Sequence, residues 1–435
     1  MDLEEFAADI TAAEGFLAAG GTCGLKPSGR PDIGGIVSVR PATAAGTFTT
    51  NKVKAAPVLV CQEVLEASGR WARAIVFNSG NANAATGAQG VANARRMQRV
   101  FAEGPGAPYD LLPRQVFVAS TGVIGVPLDM EKVERGIRAL APTREGGRAA
   151  VAAMMTTDTV PKMAAARFAV ADDRRPGSLA PPPVRGAGAT DDRSDVGRRS
   201  CTVAGMAKGA AMIAPHMATM LAFVGTDAAV EPAYLQQALS DAVESSFNMV
   251  VIDGDMSTND TALLLANGAA WPEGLAPLDG SQPACAGFEA ALQSVCRRLA
   301  QAMARDGEGA TKLVEVRVRG AASGADARRV ARAIAGSNLT KAAVLGADPN
   351  WGRIACAAGY ACAELDPDTL DIWIGRIQLV AAGTATSYDG AAASREMQGT
   401  EVRITVDLHL GSAAARAWGC DLTPEYVRLN SEYTT

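Results

Sequence analysis

The stretch KGAAMIAPHMATMLAFVG, Lys208–Gly225, is built almost wholly of small and apolar residues, yet it holds one hydroxyl, Thr219, just after Pro215 and His216. A buried threonine ordinarily satisfies its hydroxyl on a nearby carbonyl and needs no further account. Two neighbours make the segment unusual. Pro215 stops any helix running on from Met212, and Lys208 is a lone charge, the next charged side chain being Asp227. A lysine in apolar surroundings needs a partner. The hydroxyl has two routes to reactivity. His216, three residues upstream, is one candidate base. The other route needs no histidine: a chain cut just before Thr219 leaves an α-amine, with a pKa of about 8, beside the hydroxyl as its own base.

The rest of the chain narrows the chemistry. It has 435 residues, 48% of them hydrophobic, enough for a substantial core without staples. The net charge of -5, from 41 basic and 46 acidic residues, supplies no positive field for nucleic acid or an anionic membrane. The eight cysteines, Cys23, Cys61, Cys201, Cys285, Cys296, Cys356, Cys362 and Cys420, lack the spacing of a zinc knuckle or redox pair and read as reduced, mostly buried thiols. The opening MDLEEFAADI is acidic where a secretory signal is basic and then apolar, and no apolar run reaches membrane-spanning length. The expected location is the cytoplasm. Histidine occurs only at His216 and His409, so a Ser-His-Asp system or a multi-histidine metal site would have to use one of these two.

Along the chain, GGIVSV, AGTFTT and PVLVC read as strands between Gly15 and Phe77. WARAIVFNSGNANAATG reads as a buried strand ending in a Gly/Asn loop, and NARRMQRVFAE as a helix. QVFVASTGVIG repeats strand then loop and puts Ser120, Thr121 and Gly122 at a strand end, where α/β proteins commonly place their sites. Residues 171–200, rich in Pro, Gly and charge, cannot hold a core and read as an exposed, disordered insertion. The second half resumes α/β alternation: a helix near 232–246, the strand MVVID, and a helix with Phe288, Leu292, Val295, Leu299 and Met303 on one face. KLVEVRVRG and EVRITVDLHLG alternate as half-buried strands do.

Three loops carry candidate chemistry. In ASTGVIG the Thr121 hydroxyl and Gly122 amide are suited to donate to a developing oxyanion, or the segment is an ordinary strand-to-helix turn. DGDMSTNDT and DGEGATK bring Asp253, Asp255, Asp260, Asp306 and Glu308, but not at EF-hand spacing, and no metal is expected. A carboxylate such as Glu308 in a Gly-rich loop is equally suited to gripping a substrate amine, and GADPNWGR reads as a rigid turn.

Taken in order, GTCGLKPSGRPDIGGIVS, AAGTFTTNKVKAAPV, NSGNANAATG, ASTGVIG, MMTTDTVPK, MAKGAAMIAPHMATMLAFVGTDA, DGDMSTNDT, DGEGATK, GADPNWGRI and CDLTPEYVRLNSEYTT resemble the ornithine acetyltransferase (glutamate N-acetyltransferase) family of arginine biosynthesis, from about residue 14 to the end. The resemblance implies a layered α-β-β-α architecture of the N-terminal-nucleophile type. It implies self-cleavage between Ala218 and Thr219 into an α piece, 1–218, and a β piece, 219–435, associated as an α2β2 heterotetramer. Thr219 is then the nucleophile of a ping-pong transfer of acetyl from N-acetylornithine to glutamate, without a cofactor, and acetyl-CoA as a further co-substrate stays open. Thr121 and Gly122 match the oxyanion pair, and Thr157, Lys208, Thr219, Glu308, Asn430 and Thr435 the substrate-binding positions. The chain departs from the family pattern at His216, Ala211 and Met256, none of which is a proposed catalytic atom. Two other readings stand beside this one. The first is an N-terminal-nucleophile amidohydrolase or aminopeptidase on the same fold, and the second an uncleaved amino-acid-binding paralogue.

Overall fold

The computed structural model describes residues 3–170, 199–213 and 220–432. Ala218, Thr219, His216 and Thr435 lie outside the described residues, as does the insertion except for Arg199 and Ser200, which begin a strand.

In chain order the strands are β1 (Glu4–Phe6), β2 (Phe16–Gly21), β3 (Ile33–Phe48), β4 (Trp71–Asn81), β5 (Val116–Val123), β6 (Lys162–Val170), β7 (Arg199–Lys208), β8 (Leu221–Thr226), β9 (Val250–Val251) and β10 (Thr261–Ala266). They continue with β11 (Leu313–Ala321), β12 (Asp371–Ile374), β13 (Ile377–Ala381), β14 (Thr384–Ala385), β15 (Glu401–Asp407) and β16 (Ala413–Cys420). One sheet follows the order β1-β6-β7-β8-β10-β3-β4-β5, with β2 also paired to β3. A second has the order β14-β13-β12-β15-β11-β16-β9.

The long strand β3 makes the first sheet fold back on itself. Its first part, Ile33–Val37, pairs with β2 and β4, its last, Thr43–Phe48, with β10, and the register with β4 breaks between Val37 and Ala42. Ile36, Ile75, Phe77 and Phe117 from one half then share a buried cluster with Met206, Leu221, Phe223 and Leu263 from the other. The Phe77 and Phe223 rings lie 5.3 Å apart although two strands, β10 and β3, stand between theirs in the sheet order. The outer faces are covered by helices: Val76 and Val118 pack with Met97, Val100 and Phe101 of helix Gly87–Glu103. Ala262, Leu264 and Val224 pack with helices Pro232–Glu244 and Ala284–Arg305. The layering is α-β-β-α, and the alternation of Leu263 and Leu265 against Ala262 and Leu264 is the period-2 pattern that a strand buried on both faces requires. The second sheet continues the stack through Val316, Ile404 and Trp418 in the same cluster as helix Ala284–Arg305.

Three expectations change. GGIVSV and AGTFTT are parts of one strand, β3. PVLVC lies in helix Ala56–Ala67, because a short apolar run has no period that separates strand from buried helix. Pro57 sits in its first turn, where a missing N–H costs nothing. MVVID contributes only the two residues of β9. All eight cysteines are free thiols, with Cys356 and Cys362 exposed and the others buried. Among the described residues no helix is long and apolar enough to cross a membrane.

Candidate active site

The two halves of the folded sheet bring their strand ends together at one edge. On one half, Lys208 ends β7 opposite Leu221, which starts β8, and Leu221 in turn pairs with Thr261, which starts β10. On the other half, Gly80 of β4 lies opposite Gly122 of β5. The cleft between them is lined by Thr121, Gly122, Thr157, Lys208, Glu308 and Asn430, and also by Ala211, Asp253, Asp255 and Tyr426. Six candidate positions separated by up to 309 residues therefore share one cavity.

Gly122 is there because nothing larger fits. Its φ is +131°, and a Cβ would fall 2.4 Å from the Gly80 carbonyl carbon and 2.5 Å from Asn81 N. The turn is braced beneath by Ser120, whose hydroxyl donates to Asn78 Oδ1 at 2.7 Å, and by Asn259, whose amide donates to Ser120 O at 2.8 Å and to Ala82 O at 2.6 Å.

Lys208 is buried, and its Nζ donates to Thr121 Oγ1 at 3.3 Å. Burial lowers its pKa, and the carboxylates of Asp158, Asp260 and Glu308 oppose that while Lys162 adds to it. The partner that the sequence segment could not supply comes from Asp158. Burial alone would raise the Asp158 carboxyl, but the charges of Lys208 and Lys162, with the Gly209 N–H at 2.7 Å, outweigh it and hold the group at about 2. Lys162, fully buried, donates to Asp158 and to Asp306 at 2.5 Å each, and Asp306 also accepts from the Thr159 backbone N–H at 3.0 Å. A second buried lysine, Lys26, donates to Pro31 O and Met155 O at 2.6 Å each, and burial with the charge of Arg30 lowers it to about 8.

The far wall is acidic. Glu308 accepts from Asn430 Nδ2 at 2.8 Å, which ties helix Pro424–Glu432 to the cleft. Burial raises Asp253, although it accepts backbone N–H bonds from Met212, Ile213 and Asp255. Tyr426 is likewise raised by burial and by the charges of Asp253, Asp255 and Glu308. The cleft thus offers a lysine and a hydroxyl-plus-turn pair at one end and carboxylates at the other. That polarity suits a small zwitterion with a second cationic group.

Sequence reading alone did not find Asp158, Lys162 or Lys26. Asp158 and Lys162 stand inside MMTTDTVPK, but what makes them matter is pairing with residues far along the chain. Among the described residues no group of three or more His, Cys, Asp or Glu side chains is arranged to hold a metal.

The ArgJ family model matches residues 17–180 and 187–435. The chain belongs to the ArgJ family. The arginine biosynthesis bifunctional protein ArgJ of Symbiobacterium thermophilum is 47% identical over 437 residues, spanning 100% of both chains. That of Gloeobacter violaceus is 43% identical, again over 100% of each. Two solved structures are similar to parts of this ArgJ-family chain. The ArgJ protein of Bacillus halodurans is 46% identical with a TM-score of 0.47, covering 48% of this chain and 98% of its own. The ornithine acetyltransferase of Mycobacterium tuberculosis, solved with ornithine, is 36% identical with a TM-score of 0.40, covering 49% and 98%.

Proposed function

We propose that this protein transfers the acetyl group of N-acetylornithine to glutamate, giving ornithine and N-acetylglutamate, through an acetyl-threonine at Thr219. The reading includes self-cleavage between Ala218 and Thr219, with pieces 1–218 and 219–435 remaining together as α2β2 in the cytoplasm. The observation that carries it is the meeting of Lys208, Thr121, Gly122, Glu308 and Asn430 in one cleft beside the start of β8, the strand that follows Thr219 by one residue.

In this mechanism the Thr219 hydroxyl attacks the acetyl carbonyl and gives its proton to its own α-amine. Lys208 donates to Thr121 Oγ1, so the Thr121 hydroxyl keeps its own hydrogen for the oxyanion, alongside the Gly122 N–H. Collapse breaks the C–N bond, and the ammonium returns the proton to the departing amine of ornithine. The amine of glutamate then attacks the acetyl-threonine, and the same steps run in reverse. Lys208 has two further N–H groups for the α-carboxylate that donor and acceptor share, and Glu308 faces the second amine of ornithine. Thr157, Asn430 and Thr435 complete the substrate contacts in this reading. Relatives are called bifunctional, and the reading extends to acetyl-CoA as a second donor, with no bound cofactor.

The test is denaturing intact mass of the wild type beside Thr219→Ala, coupled to an assay of acetyl transfer from N-acetylornithine to glutamate. Two fragments meeting at Ala218/Thr219, an uncut variant, and transfer exceeding acetate release are expected. A single uncut wild-type chain overturns the mechanism, and release of acetate without transfer replaces it with an amidohydrolase.

A further inference from the structure

The loop joining β9 to β10 grips the chain on both sides of residues 214–219. At its near end the Ile252 N–H donates to Ile213 O at 2.9 Å, and the Asp253 carboxylate accepts the N–H groups of Met212 and Ile213 at 2.5 and 2.8 Å. At its far end the Thr261 N–H donates to Met220 O at 3.1 Å, and Asp260 Oδ1 accepts the Met220 N–H at 3.0 Å. The residue next to Asp260 holds the opposite wall: Asn259 Nδ2 donates to Ser120 O and Ala82 O, directly beneath the Thr121–Gly122 turn. The dipeptide Asn259–Asp260 therefore bridges the oxyanion turn and the residue bonded to Thr219.

Asp260 is also chemically out of place. It is fully buried, and its Oδ2 has no hydrogen-bond partner among the described residues. The nearby Thr49 hydroxyl donates instead to Ser257 O at 2.7 Å. Burial pushes the carboxyl well above its usual range, against the lowering effects of the Met220 N–H, the Lys208 charge and the nearby Thr49 hydroxyl. Burying a second carboxyl oxygen with no partner among the described residues carries a desolvation penalty that accepting one backbone N–H does not require.

We propose that Asp260, with Asn259, is a positioning residue that sets the nucleophile against the oxyanion turn, through the bond it accepts from the Met220 N–H and the bonds Asn259 gives beneath the turn. Met220 is the residue bonded to Thr219, so holding its N–H and C=O restrains the point at which the proposed nucleophile is attached. The proposal rests on the Thr219 reading above. Misplacement of a reacting group by about 1 Å costs roughly 10²-fold in rate, so the effect belongs in kcat and in self-cleavage, and the affinity for substrate is spared.

The test compares Asp260→Ala, Asp260→Asn and Asn259→Ala in the full-length protein by intact mass, kcat and KM for N-acetylornithine, and thermal unfolding. Expected are slowed cleavage and a kcat lowered about 10²-fold in the cleaved fraction of Asp260→Ala, with KM within about threefold. Asparagine keeps an oxygen to accept the Met220 N–H and is expected to recover about tenfold of that loss. Wild-type kcat in Asp260→Ala overturns the proposal, and so does loss of kcat, KM and stability together with no rescue by asparagine. If Asp260→Ala yields no soluble protein, Asn259→Ala decides: lowered kcat at unchanged KM supports the role and wild-type kcat overturns it. Thr219→Ala separates the two levels. If that variant still cleaves or turns over, it is the Thr219 reading that has failed.

Discussion

The Thr121 hydroxyl is the most economical place to test the oxyanion assignment. It points into the cleft from a braced turn and takes a hydrogen bond from Lys208, so Thr121→Ala removes a donor without emptying a core. Steady-state kinetics are expected to show kcat reduced about 10²–10³-fold with KM little changed. Lys162 is the opposite case, since it touches no cleft surface and holds two buried carboxylates. Lys162→Met takes this shared cation away from both and is expected to cost about 3–5 kcal/mol in urea unfolding. Asp158 adds a pH signature. Its folded pKa of about 2 lies below the ordinary 3.8, so the stability it adds is complete above about pH 4 and is lost as pH falls through about 2. That amounts to about 2 kcal/mol, and Asp158→Asn should flatten the wild-type fall in stability across this window. Residues such as Thr121, Gly122 and Glu308 were legible in the sequence because each sits in a short loop whose type suits its chemistry. Lys162 was not, because its second carboxylate lies 144 positions away and no local pattern announces such a pair.

At the scale of elements, strands were readable where they alternate, as in β11 and β15 of the second sheet. They were misread where a run is apolar throughout, as in the helix that carries PVLVC. The turn at Gly309 shows what spacing cannot convey. Its φ is +68°, and a Cβ there would meet Tyr426 N at 2.6 Å. Glycine is what lets helix Pro424–Glu432 lie against the Glu308 loop, and Thr423 Oγ1 donates to Gly309 O at 2.7 Å to close the contact. Gly309→Ala is therefore expected to displace that helix and with it Asn430. The predicted result is a KM for N-acetylornithine raised about tenfold, or ~1.4 kcal/mol, while thermal stability changes little because the helix buries no side chain.

For the molecule as a whole, the family resemblance implied a boundary at 218/219 but could not show how the two parts would be woven. β8 and β10, from residues 219–435, lie side by side between β7 and β3, from residues 1–218. Neither part has a complete first sheet of its own, and the clusters on both faces of that sheet draw residues from both. Residues 1–218 and 219–435 expressed separately are expected to be insoluble or unfolded by circular dichroism. The same segments made together should form one body that unfolds in a single transition. A soluble, structured 1–218 alone would contradict this.

The interleaving also governs inheritance between molecules. Two partners that meet only across a surface trade places in solution, whereas strands enclosed by neighbours on both edges are released only by melting the sheet that holds them. If the chain is cleaved at 218/219 as proposed, each molecule should keep, for its whole lifetime, the two halves made from one translation event. A mixture of isotopically heavy and light protein, left for days under native conditions, should yield no hybrid pairing of residues 1–218 with residues 219–435 by native mass spectrometry.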